Sequence, residues 1–581
     1  MSTLPKDWFI RPQAAPSVLR HYRDMSPVLA QVLYNRGFTD PTVGGEFLYI
    51  RKTHNPLDNG CEMKDVRRAA GRLLEAIRKR ELIIVYGDFD ADGVTSTVLM
   101  VEVLTGLGAL VKPYIPHRVD EGYGLNSEAL YKLAGEGAKV IITVDCGIRS
   151  VQDVADGKAV GLDIIVTDHH SIGPEIPRAY AVVNPKQVDC SYPEDMLAGV
   201  GVAHKVASTL LQLFYRERMF RDKRLYQKVG QTLENLLDLV AIGTVADLAP
   251  LDRPENRVLV RRGLEIINQA RRPGVRALLE VSGVEPGKVT AMNIGFALGP
   301  RINAAGRLDS AMIAYKLLSS QDMNEARLLA GQLNELNVQR QELTRAAQET
   351  IQAQLALSDD SDVPLIFADG EFQPGIVGLV AGRLVEAHYR PAIVMERGET
   401  ESRASCRSIP QFDITQALDQ CADLLVRHGG HAQAAGFTVM NDNIHALLDN
   451  LTQQARMMLD GRELRPTLEI DVEVDINQLS ENLVEELEAL EPTGYMNPAP
   501  VLMSRNLYIL EHRTLKDRHL KFKVARAGRP PLDAIAFGLG EKWGQNMPRH
   551  VDVVYQLEIN EWNGRRSLQL NVQDLRPAGV E

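Results

Sequence analysis

The chain has 581 residues, of which 45% are hydrophobic and 24% are charged, and its formal net charge is −11 at pH 7. This balance is typical of a globular protein with sizeable cores, and it excludes a chain that is mainly disordered. The acidic net charge also excludes a protein whose whole surface is a basic nucleic-acid-binding face, although a local basic groove remains compatible with it.

No CxxC pair occurs among the five cysteines, which are Cys61, Cys146, Cys190, Cys406 and Cys421. We therefore expect neither a disulfide framework nor a thiolate zinc site. The first residues, MSTLPKDWFIRPQ, lack the apolar segment of a signal peptide, and no apolar run approaches about 18 residues. These features predict a cytoplasmic, soluble protein without a membrane span.

Residues 1 to about 60 mix proline, aromatic residues and short helical patterns, and we expect a small cap or docking segment there. From about residue 64, helical patterns alternate with short β-branched apolar runs. The segments in chain order are VRRAAGRLLEAIRKR, LIIVYG, a helix from about Thr95, ALYKLAGEGA, KVIITVD, VQDVADGKAVG and DIIVTD. This alternation predicts βαβ units, and strands that are apolar on both faces predict a parallel sheet covered on both sides.

Residues 321–362 contain no proline and only one glycine, Gly331, and their leucines keep near-heptad spacing. The pattern predicts one long helix of up to about 60 Å at 1.5 Å per residue. Such a helix either bridges two lobes, the interpretation we favour, or packs as an ordinary core helix. A second α/β segment is predicted over about 363–458, with strands in VPLIFAD and RPAIVME around the helical run VGLVAGRLVEAHY.

From about residue 466 the apolar period becomes two, which predicts a half-buried strand through Leu468, Ile470, Val472, Val474 and Ile476. Further strands are predicted in HLKFKVARAG, LDAIAFG and DVVYQLEINEW, and Asn563-Gly564 predicts a hairpin turn into SLQLNVQDL. A small antiparallel barrel, with a helix in SENLVEELEAL, fits these signals best.

Acidic and imidazole side chains follow three of the predicted parallel strands. They are Asp88, Asp90 and Asp92 after LIIVY, Asp145 after VIITV, and Asp168, His169 and His170 after DIIVT. The carboxyl ends of parallel strands share one crevice, so these side chains are expected in one pocket. Carboxylates crowded together need cations to neutralise them, and carboxylates with imidazoles but no thiolate favour Mn²⁺ or Mg²⁺ over zinc.

Each part of this pattern also has an ordinary structural interpretation. Aspartates in the Gly-rich turn GDFDADG are typical helix caps or turn formers. Asp247 lies in the apolar run LLDLVAIGTVADLAPL, where a buried carboxylate needs a partner. A metal supplies that partner, and so does a hydrogen bond at a helix end.

Many motifs resemble those of the DHH superfamily of phosphoesterases, and specifically the RecJ family of single-strand-specific exonucleases. The first group is GDFDADGVTST, EGYGL, TVDCG, TDHH, AGVGVA, AIGTVADLAPL and GPRINAAGRLDS. FQPGIVGLVAGR, CRSI and GGHAQAAGF resemble the accessory DHHA1 domain, and EPTGYMNPAP with the region behind it resembles the family's OB-fold. The resemblance covers about residues 64–575. Two positions depart from the pattern: Cys146, and Cys406, which is a candidate to crowd the substrate groove.

The resemblance implies an α/β fold: a parallel-sheet DHH lobe and a smaller DHHA1 α/β lobe joined by a long helix, plus a C-terminal OB-type β-barrel. The predicted boundaries are an N-terminal cap segment at 1–60, the DHH domain at 61–320, the connecting helix at 321–362, the DHHA1 domain at 363–458 and the OB-fold single-strand-binding domain at 459–581.

The resemblance further implies two Mn²⁺ or Mg²⁺ ions. The ligands carried onto this chain are Asp88, Asp90, Asp92, Asp145, His169 and Asp247. Asp145 is the best candidate to bridge both ions, His170 is expected to face the scissile phosphate, and Asp168 is expected to orient a neighbouring imidazole. Two such ions activate a water molecule and hold the attacking and leaving oxygens of a phosphodiester.

On the phosphate side, the family motifs contribute cations and donors. The candidates are Arg118, Arg301, Asn303, Arg307, Arg407, Ser408 and His431. A pocket of this kind for the 5′-phosphate accounts for movement from the 5′ end, which the family implies. The two glycines before His431 either allow close approach to a phosphate or cap the following helix.

In the barrel, Lys521, Phe522 and Lys523 are candidate DNA contacts, beside the further cations Lys516, Arg518 and Arg526. Cations with an interleaved aromatic suit single-strand binding by phosphate neutralisation and base stacking. The alternative is a solvated strand face with a core phenylalanine.

The resemblance thus implies a 5′-to-3′ exonuclease on single-stranded DNA that releases 5′-mononucleotides in repair and recombination, beside a helicase and a single-strand-binding protein. We expect a monomer with no membrane association. Two alternatives are a DHH phosphoesterase for short oligonucleotides or nucleotide phosphates, which the length of the chain disfavours, and a non-catalytic DNA-binding scaffold, which the complete set of motif carboxylates disfavours.

Overall fold

The structure is a computed structural model that describes residues 4–49, 62–118, 120–122, 124–219, 223–357, 364–528, 530–562 and 564–579. The chain divides into two compact units. The first unit comprises Tyr49–Arg340 and Glu491–Pro498, and the second comprises Met1–Leu48, Gln341–Leu490 and Ala499–Glu581. Predictions that concern Cys61, residues 50–60, residues 358–362 and Asn563 lie outside the described residues.

The first unit is built on a parallel sheet, which has five strands among the described residues. Their spatial order is Leu110–Tyr114, Leu82–Tyr86, Ala138–Val144, Asp163–Thr167 and Ala181–Val183. Every residue of Leu82–Tyr86 is buried, because Ile83 and Val85 pack into one apolar cluster and Ile84 and Tyr86 pack into another on the opposite face. The predicted parallel sheet with both faces covered is therefore confirmed.

Helices surround this sheet. They are Val66–Lys79, Ala91–Gly106, Ser127–Gly135, Val151–Ala159, Gly199–Met219, Lys223–Asn235, Leu237–Ala246, Pro254–Ile267, Pro273–Ser282, Ala291–Asn293, Gly299–Leu308 and Met312–Ser319, with a π-helical turn at Ile294–Leu298. The helix expected from about Thr95 begins four residues earlier, because the Asp90 side chain caps it. None of the helices in the described parts of the chain is long and apolar enough to cross a membrane.

The predicted long helix is confirmed over Met323–Leu357, which is 35 residues or about 50 Å. The boundary between the two units falls inside it, between Arg340 and Gln341. The chain therefore passes from the first unit to the second within one helix.

In the second unit, a mixed sheet forms the α/β lobe. Its strands among the described residues are, in spatial order, Leu425–His431, Ala434–Met440, Glu401–Arg407, Ala392–Glu396 and Ile366–Gly370. Only the last pair in this order is parallel. The helices of the lobe are Val377–His388, Ile414–Asp419 and Ile444–Leu459.

The barrel of the second unit closes on itself. Its strands follow the order Val472–Glu473, Leu502–Leu515, His519–Ala525, Leu532–Ala536, Arg565–Pro577 and His550–Trp562, and Leu502–Leu515 also pairs with His550–Trp562. Short helices at Glu481–Glu488 and Gly540–Trp543 accompany it. The barrel and its final hairpin are confirmed, but its description as antiparallel is partly wrong, because Val472–Glu473 and Arg565–Pro577 each make a parallel pair.

The single strand predicted through residues 468–476 is interrupted. Thr467–Ile470 pairs in parallel with the N-terminal strand Asp7–Ile10, whereas Val472–Glu473 joins the barrel. Asp475 then accepts a hydrogen bond from the Asn477 amide at 2.9 Å and caps a 3₁₀ turn at Ile476–Gln478. The period-two burial persists across this break, so apolar spacing alone did not reveal it.

The N-terminal residues belong to the barrel core. The helices Pro16–Leu19, Pro27–Asn35 and Pro41–Tyr49 follow the first strand, and Leu33 and Leu48 lie in the same buried cluster as Phe522.

Candidate metal centre

The ends of three neighbouring strands bring the predicted ligands together. Asp145 directly follows Ala138–Val144, Asp168 directly follows Asp163–Thr167, and Asp88 lies two residues after Leu82–Tyr86. Three groups each have ligand atoms within 4.8 Å of one another: Asp145, His169 and His170; Asp92, His169 and Asp247; and Asp88, Asp90 and Asp145. All six predicted metal ligands therefore lie in one cluster of the first unit.

His169 is central to this cluster. Its Nε2 atom lies 3.1 Å from Asp145 Oδ1, 3.6 Å from Asp247 Oδ2 and 3.8 Å from Asp92 Oδ2. Asp145 is shared by two of the groups and is 2% exposed. His169 is likewise shared by two groups, so Asp145 and His169 are both candidates for the bridging position that the resemblance implies for Asp145.

Asp168 holds both histidines rather than joining the ligand groups. Its Oδ1 atom accepts hydrogen bonds from the backbone amides of His169 at 2.7 Å and His170 at 3.0 Å, and it lies 2.8 Å from His170 Nδ1. Its Oδ2 atom accepts from the Ile148 amide at 2.9 Å. Asp168 thus orients the imidazole of His170, as the sequence predicted.

Asp92 faces the start of the helix Gly199–Met219. It accepts hydrogen bonds from the amides of Gly199 at 2.6 Å and Val200 at 2.8 Å, an arrangement that favours a carboxylate at a helix N-terminus. A Cβ atom at position 199 would lie 2.6 Å from Asp145 Cβ. Glycine at this position therefore allows the helix to approach the cluster.

The cap interpretation of Asp90 also holds. Its Oδ1 atom accepts from the amides of Asp92 at 2.9 Å and Gly93 at 3.1 Å, while a ligand atom of the same side chain lies within the group of Asp88 and Asp145. One residue serves as helix cap and cluster member at once.

Three ligand atoms in the cluster are buried yet make no hydrogen bond among the described residues: Asp88 Oδ1, Asp145 Oδ1 and His169 Nε2. The last two lie 3.1 Å apart but without the geometry of a hydrogen bond. Buried polar atoms are normally satisfied, because leaving one unpaired costs about 1–3 kcal/mol. Their chemistry, carboxylate oxygens with one imidazole nitrogen, fits Mn²⁺ or Mg²⁺.

Burial and mutual repulsion make these carboxylates hard to ionise without a counter-charge. Burial, assisted by neighbouring carboxylates, raises the pKa of Asp88, Asp145 and Asp247 well above the usual range and that of Asp92 to about 7. Burial also lowers the pKa of His169 to about 3, so its ring is neutral at pH 7, the form that binds metals.

His170 is charged by contrast. Burial is the largest single influence and lowers its pKa, but the hydrogen bond with Asp168 and the charges of Asp168, Asp247 and Asp88 together outweigh burial and raise the pKa to about 9. Its side chain is 39% exposed, so the cation reaches solvent at the edge of the cluster.

Of the predicted phosphate contacts in the first unit, Arg118 lies beside the cluster. Its guanidinium carbon lies 4.7 Å from the centre of the Phe89 ring. Burial lowers its pKa, and the carboxylates of Asp88 and Asp90 oppose that shift. Arg118 is therefore a half-buried cation close to the ligands.

Asn303 and Arg301 instead hold protein segments together. Asn303 Oδ1 accepts from the Ala91 amide at 2.7 Å, which fixes the loop of Asp90. Arg301 donates to Asn334 Oδ1 at 3.1 Å and to the Ala297 carbonyl at 2.8 Å. Arg307 is half-buried in the helix Gly299–Leu308.

Sequence reasoning missed Lys186 and Asn184. Burial lowers the pKa of Lys186, while Asp247 and Asp168 raise it, so this cation lies near the cluster. Asn184 donates to the His170 carbonyl at 3.0 Å and accepts from the Lys186 amide at 2.8 Å. The run NPK, shortly after the Asp-His-His motif, was the available signal.

In the α/β lobe of the second unit, two predictions need correction. Cys406 is fully buried in the lobe core, so it cannot crowd a substrate groove, and burial raises its pKa to about 12. Ser408 is 6% exposed and its hydroxyl donates to the Phe412 carbonyl at 2.6 Å, which does not support a phosphate contact by that hydroxyl.

Arg407 ends the strand Glu401–Arg407, is half-buried, and donates to the carbonyl of Cys406 at 2.8 Å. His431 is exposed at the end of Leu425–His431. The glycines before His431 cap no helix, because they lie in this strand. At Gly430, which has a φ of +155°, an added Cβ would lie 2.5 Å from Ala435 Cα of the paired strand.

In the barrel, Phe522 is 1% exposed and packs in the core, so its predicted role as an interleaved stacking aromatic is wrong. Alternation along His519–Ala525 turns Lys521 and Lys523 outward. Lys523 pairs with Glu511 at 2.8 Å.

The comparisons with known proteins agree with this architecture. The DHH family N-terminal domain matches residues 82–244, the DHHA1 domain matches 362–457, and the RecJ OB domain matches 470–574. The curated relatives include the single-stranded-DNA-specific exonuclease RecJ of Bacillus subtilis, 36% identical over 95% of this chain and 68% of that protein. RecJ of Escherichia coli is 37% identical over 89% of this chain and 91% of that protein.

Among solved structures, RecJ of Thermus thermophilus in complex with Mn²⁺ superposes with a TM-score of 0.81 at 31% identity, covering 99% of this chain and 80% of that one. The same protein in complex with Mg²⁺ superposes with a TM-score of 0.77 at 29% identity, covering 99% and 79%. With three matching domains in order and relatives of this identity along most of its length, the chain belongs to the RecJ family of single-stranded-DNA-specific exonucleases.

Proposed function

We propose that this chain is a metal-dependent exonuclease that hydrolyses single-stranded DNA from the 5′ end and releases 5′-mononucleotides in repair and recombination. The observation that carries the proposal is the cluster of buried ligand atoms without hydrogen-bond partners at the strand ends. Membership of the RecJ family supplies the substrate class, and the Mn²⁺ and Mg²⁺ complexes of the Thermus relative support the choice of ion.

Two ions of Mn²⁺ or Mg²⁺ are the proposed cofactors. Asp88 and Asp90 would hold one ion and Asp92 and Asp247 the other, and Asp145 and His169 would each be available to either set, because each belongs to two of the three groups of ligand atoms. When bound, such ions activate water and neutralise charge on the phosphate oxygens.

The protein's own groups position the phosphodiester. His170 is a cation at pH 7 and donates to a non-bridging phosphate oxygen, while Asp168 fixes its ring through Nδ1. Arg118 adds a second donor from the Phe89 side, and Lys186 adds positive charge from the Asp247 side. Several cations near the cluster restrict the orientation of the scissile group.

Polarity requires groups that bind the 5′ end. We assign Arg307 of the first unit to this role as a half-buried family-motif donor, and we assign Arg407 and His431 of the second unit, taken by itself, to phosphate contacts. Arg301 and Asn303 have a supporting role in the first unit, because their hydrogen bonds join the helix Gly299–Leu308 to neighbouring segments.

The finer assignments rest on the family resemblance. They are the domain boundaries at 60, 320, 362 and 458, the single-strand-binding role of the barrel, a monomeric state, and work beside a helicase and a single-strand-binding protein. The family matches at 82–244, 362–457 and 470–574 fit inside the three proposed folded domains, apart from one residue at 362.

A long single strand labelled at either end tests the function directly. Wild type with Mn²⁺ should release mononucleotides from the 5′ label first, and EDTA should abolish release. Asp145→Ala should be inactive, whereas Asp460→Ala, which removes an exposed carboxylate beyond the helix Ile444–Leu459, should match wild type. Binding without cleavage by wild type in Mn²⁺ and in Mg²⁺ would instead support the scaffold alternative, and cleavage confined to dinucleotides would support the short-oligonucleotide alternative.

A further inference from the structure

Large apolar side chains are exposed on segments that adjoin the metal centre. Leu248 directly follows the proposed ligand Asp247 and is 65% exposed. Tyr495 is 53% exposed, Met496 is 58% exposed and Phe296 is 83% exposed. Single exposed apolar residues are common, but a set of large ones on contacting segments marks an interaction site.

The segments that carry these side chains contact one another within the first unit. The Leu251 amide donates to the Tyr495 carbonyl at 2.9 Å, which joins the loop after Asp247 to the turn at residues 494–497. An added Cβ at Gly299 would lie 3.3 Å from Ala246 Cβ, so the helix that follows Phe296 packs against the residue before Asp247.

The turn that presents Tyr495 and Met496 is firmly anchored. Gly494 and Asn497 exchange backbone hydrogen bonds of 2.8 and 3.2 Å, which leaves Tyr495 and Met496 at the tip. The Arg257 guanidinium donates to the Glu491 carbonyl at 2.9 Å, and the Asn497 side chain donates to the Pro492 carbonyl at 2.8 Å. The exposed side chains are therefore held in place rather than carried on a loose loop.

Two of the four residues also adopt a backbone conformation that disfavours their side chains. Leu248 has a φ of +57° and Met496 a φ of +60°. Glycine or asparagine would adopt this left-handed conformation at lower cost, and strain of this kind clusters at ligand sites. Neither solvent exposure nor backbone geometry accounts for a leucine or a methionine at these positions.

The chemistry of a single strand supplies an occupant. Its phosphates are drawn to cations, whereas its unpaired bases present flat apolar faces that stack on aromatic and apolar side chains regardless of sequence. We propose that Leu248, Phe296, Tyr495 and Met496 form an apolar rim on which nucleobases of the single strand stack while its phosphate enters the metal centre. This inference deepens the proposed function and rests on it.

Glycine substitutions at the two strained positions provide a sharp test. Leu248→Gly and Met496→Gly remove the side chain and relieve the left-handed strain, so the thermal midpoint should stay the same or rise. The rim predicts that the KM for a 5′-phosphorylated oligothymidylate rises about tenfold in each variant, or about 1.4 kcal/mol of binding, with kcat within twofold.

Leu110→Ser is the matched control. Leu110 is 55% exposed but begins the strand Leu110–Tyr114, so it lies at the edge of the sheet opposite the ligands. Its KM should equal that of wild type. A strand carrying abasic residues at its first four positions completes the test, because wild type should lose more than tenfold in kcat/KM on it, whereas Leu248→Gly, which has already lost one rim side chain, should lose less than wild type.

The outcomes separate this inference from the proposed function. Wild type that degrades intact single strands while both glycine variants keep a wild-type KM would overturn the rim alone, and a protein partner for the patch would then be the better account. Equal loss on abasic DNA in wild type and Leu248→Gly would also overturn it. A wild type that degrades no single strand under Mn²⁺ or Mg²⁺ would overturn the proposed function and the rim with it.

Discussion

Like charges lie side by side in two regions of the molecule. In the strand-end loops of the first unit they are buried, whereas on the barrel strand His519–Ala525 they lie at the surface. In the loops, Asp88, Asp92 and Asp145 are each at most 3% exposed. On the barrel, Lys521 lies opposite the exposed Arg513 in the strand register, at the surface. Buried like charges need a counter-ion or protons to neutralise them, whereas exposed ones are screened by water and salt. The first arrangement therefore favours binding of a cation once its carboxyl groups ionise, and the second favours only an affinity for anions.

The largest expected effect on activity comes from removing one of the buried carboxylates of the metal centre. Asp92→Asn keeps the size of the side chain but removes the charge that faces the amides of Gly199 and Val200. We expect kcat/KM on single-stranded DNA in Mn²⁺ to fall about 10³-fold or more, in the range for lost electrostatic stabilisation of a transition state. Lys521→Ala, assayed alongside, should stay within tenfold of wild type. If Asp92→Asn kept more than a tenth of wild-type activity, a buried carboxylate would matter no more than an exposed lysine of the barrel.

The pH dependence of thermal stability in the absence of metal also distinguishes buried from exposed charges. A carboxyl group whose pKa is raised on folding binds more protons in the folded state than in the unfolded state, so folded stability falls as pH rises between the two pKa values. For Asp92 this interval runs from the ordinary aspartate pKa of 3.8 to about 7. In EDTA the thermal midpoint should therefore be lower at pH 8 than at pH 5.

Saturating Mn²⁺ should restore that stability, by about 2.7 kcal/mol at one hundred times the dissociation constant. The gain measured by calorimetry should be larger at pH 8 than at pH 5, because protonated carboxyl groups compete with the ion. Asp145→Asn should raise the midpoint in EDTA at pH 8 and shrink the gain from Mn²⁺. A pH-independent gain in wild type would contradict the buried-charge account.

A smaller loss of activity is expected when a residue that orients the cluster is changed but the proposed metal ligands are kept. Asp168→Asn weakens the contact with His170 Nδ1, and outer partners of this kind cost about 10- to 100-fold in activity. Asp168 is one of three carboxylates, with Asp247 and Asp88, that outweigh burial and raise the pKa of His170 to about 9, so the loss of Asp168 lowers that pKa and the alkaline decline of activity should move to lower pH. The pH profile of kcat/KM checks this shift, with Asp460→Ala as the reference. An unchanged alkaline limb would show that His170 is not the group that titrates.

Topology made the metal centre predictable from the sequence. Parallel strands end at one edge, so residues within two positions of the ends of LIIVY, VIITV and DIIVT had to meet there, whatever the side-chain details. The double role of Asp90, as helix cap and cluster member, shows that the two competing interpretations of GDFDADG are compatible with each other. Lys186 escaped notice because its only local signal, the run NPK after the Asp-His-His motif, does not indicate that Lys186 lies near Asp247.

The barrel was harder to predict, because strand composition does not reveal which neighbours a side chain meets. Phe522 alternates with two lysines, a pattern that fits a stacking surface and a buried core equally well until the partner strands are known. Arg301 and Ser408 illustrate the same limit, since their motifs suggest phosphate contacts while their hydrogen bonds go to Ala297 and Phe412. Long-range pairing decides such cases, and one sequence does not encode it locally.

The smallest expected effect separates the two barrel lysines from each other. Glu511 already neutralises Lys523 at 2.8 Å, whereas Lys521 makes no ion pair with any residue in the described ranges and has Arg513 opposite it. A phosphate bound there relieves the repulsion between Lys521 and Arg513 and releases a counter-ion from the DNA.

Lys521→Ala should therefore reduce the slope of log K against log salt by about 1, while Lys523→Ala reduces it less. Fluorescence anisotropy of labelled single strands in Ca²⁺, from low to moderate salt, measures both slopes. Equal slopes for the two variants would mean that the outward lysines attract DNA only through their summed positive charge, with no defined phosphate site. The barrel would then bind its charged ligand without a built site, unlike the metal centre.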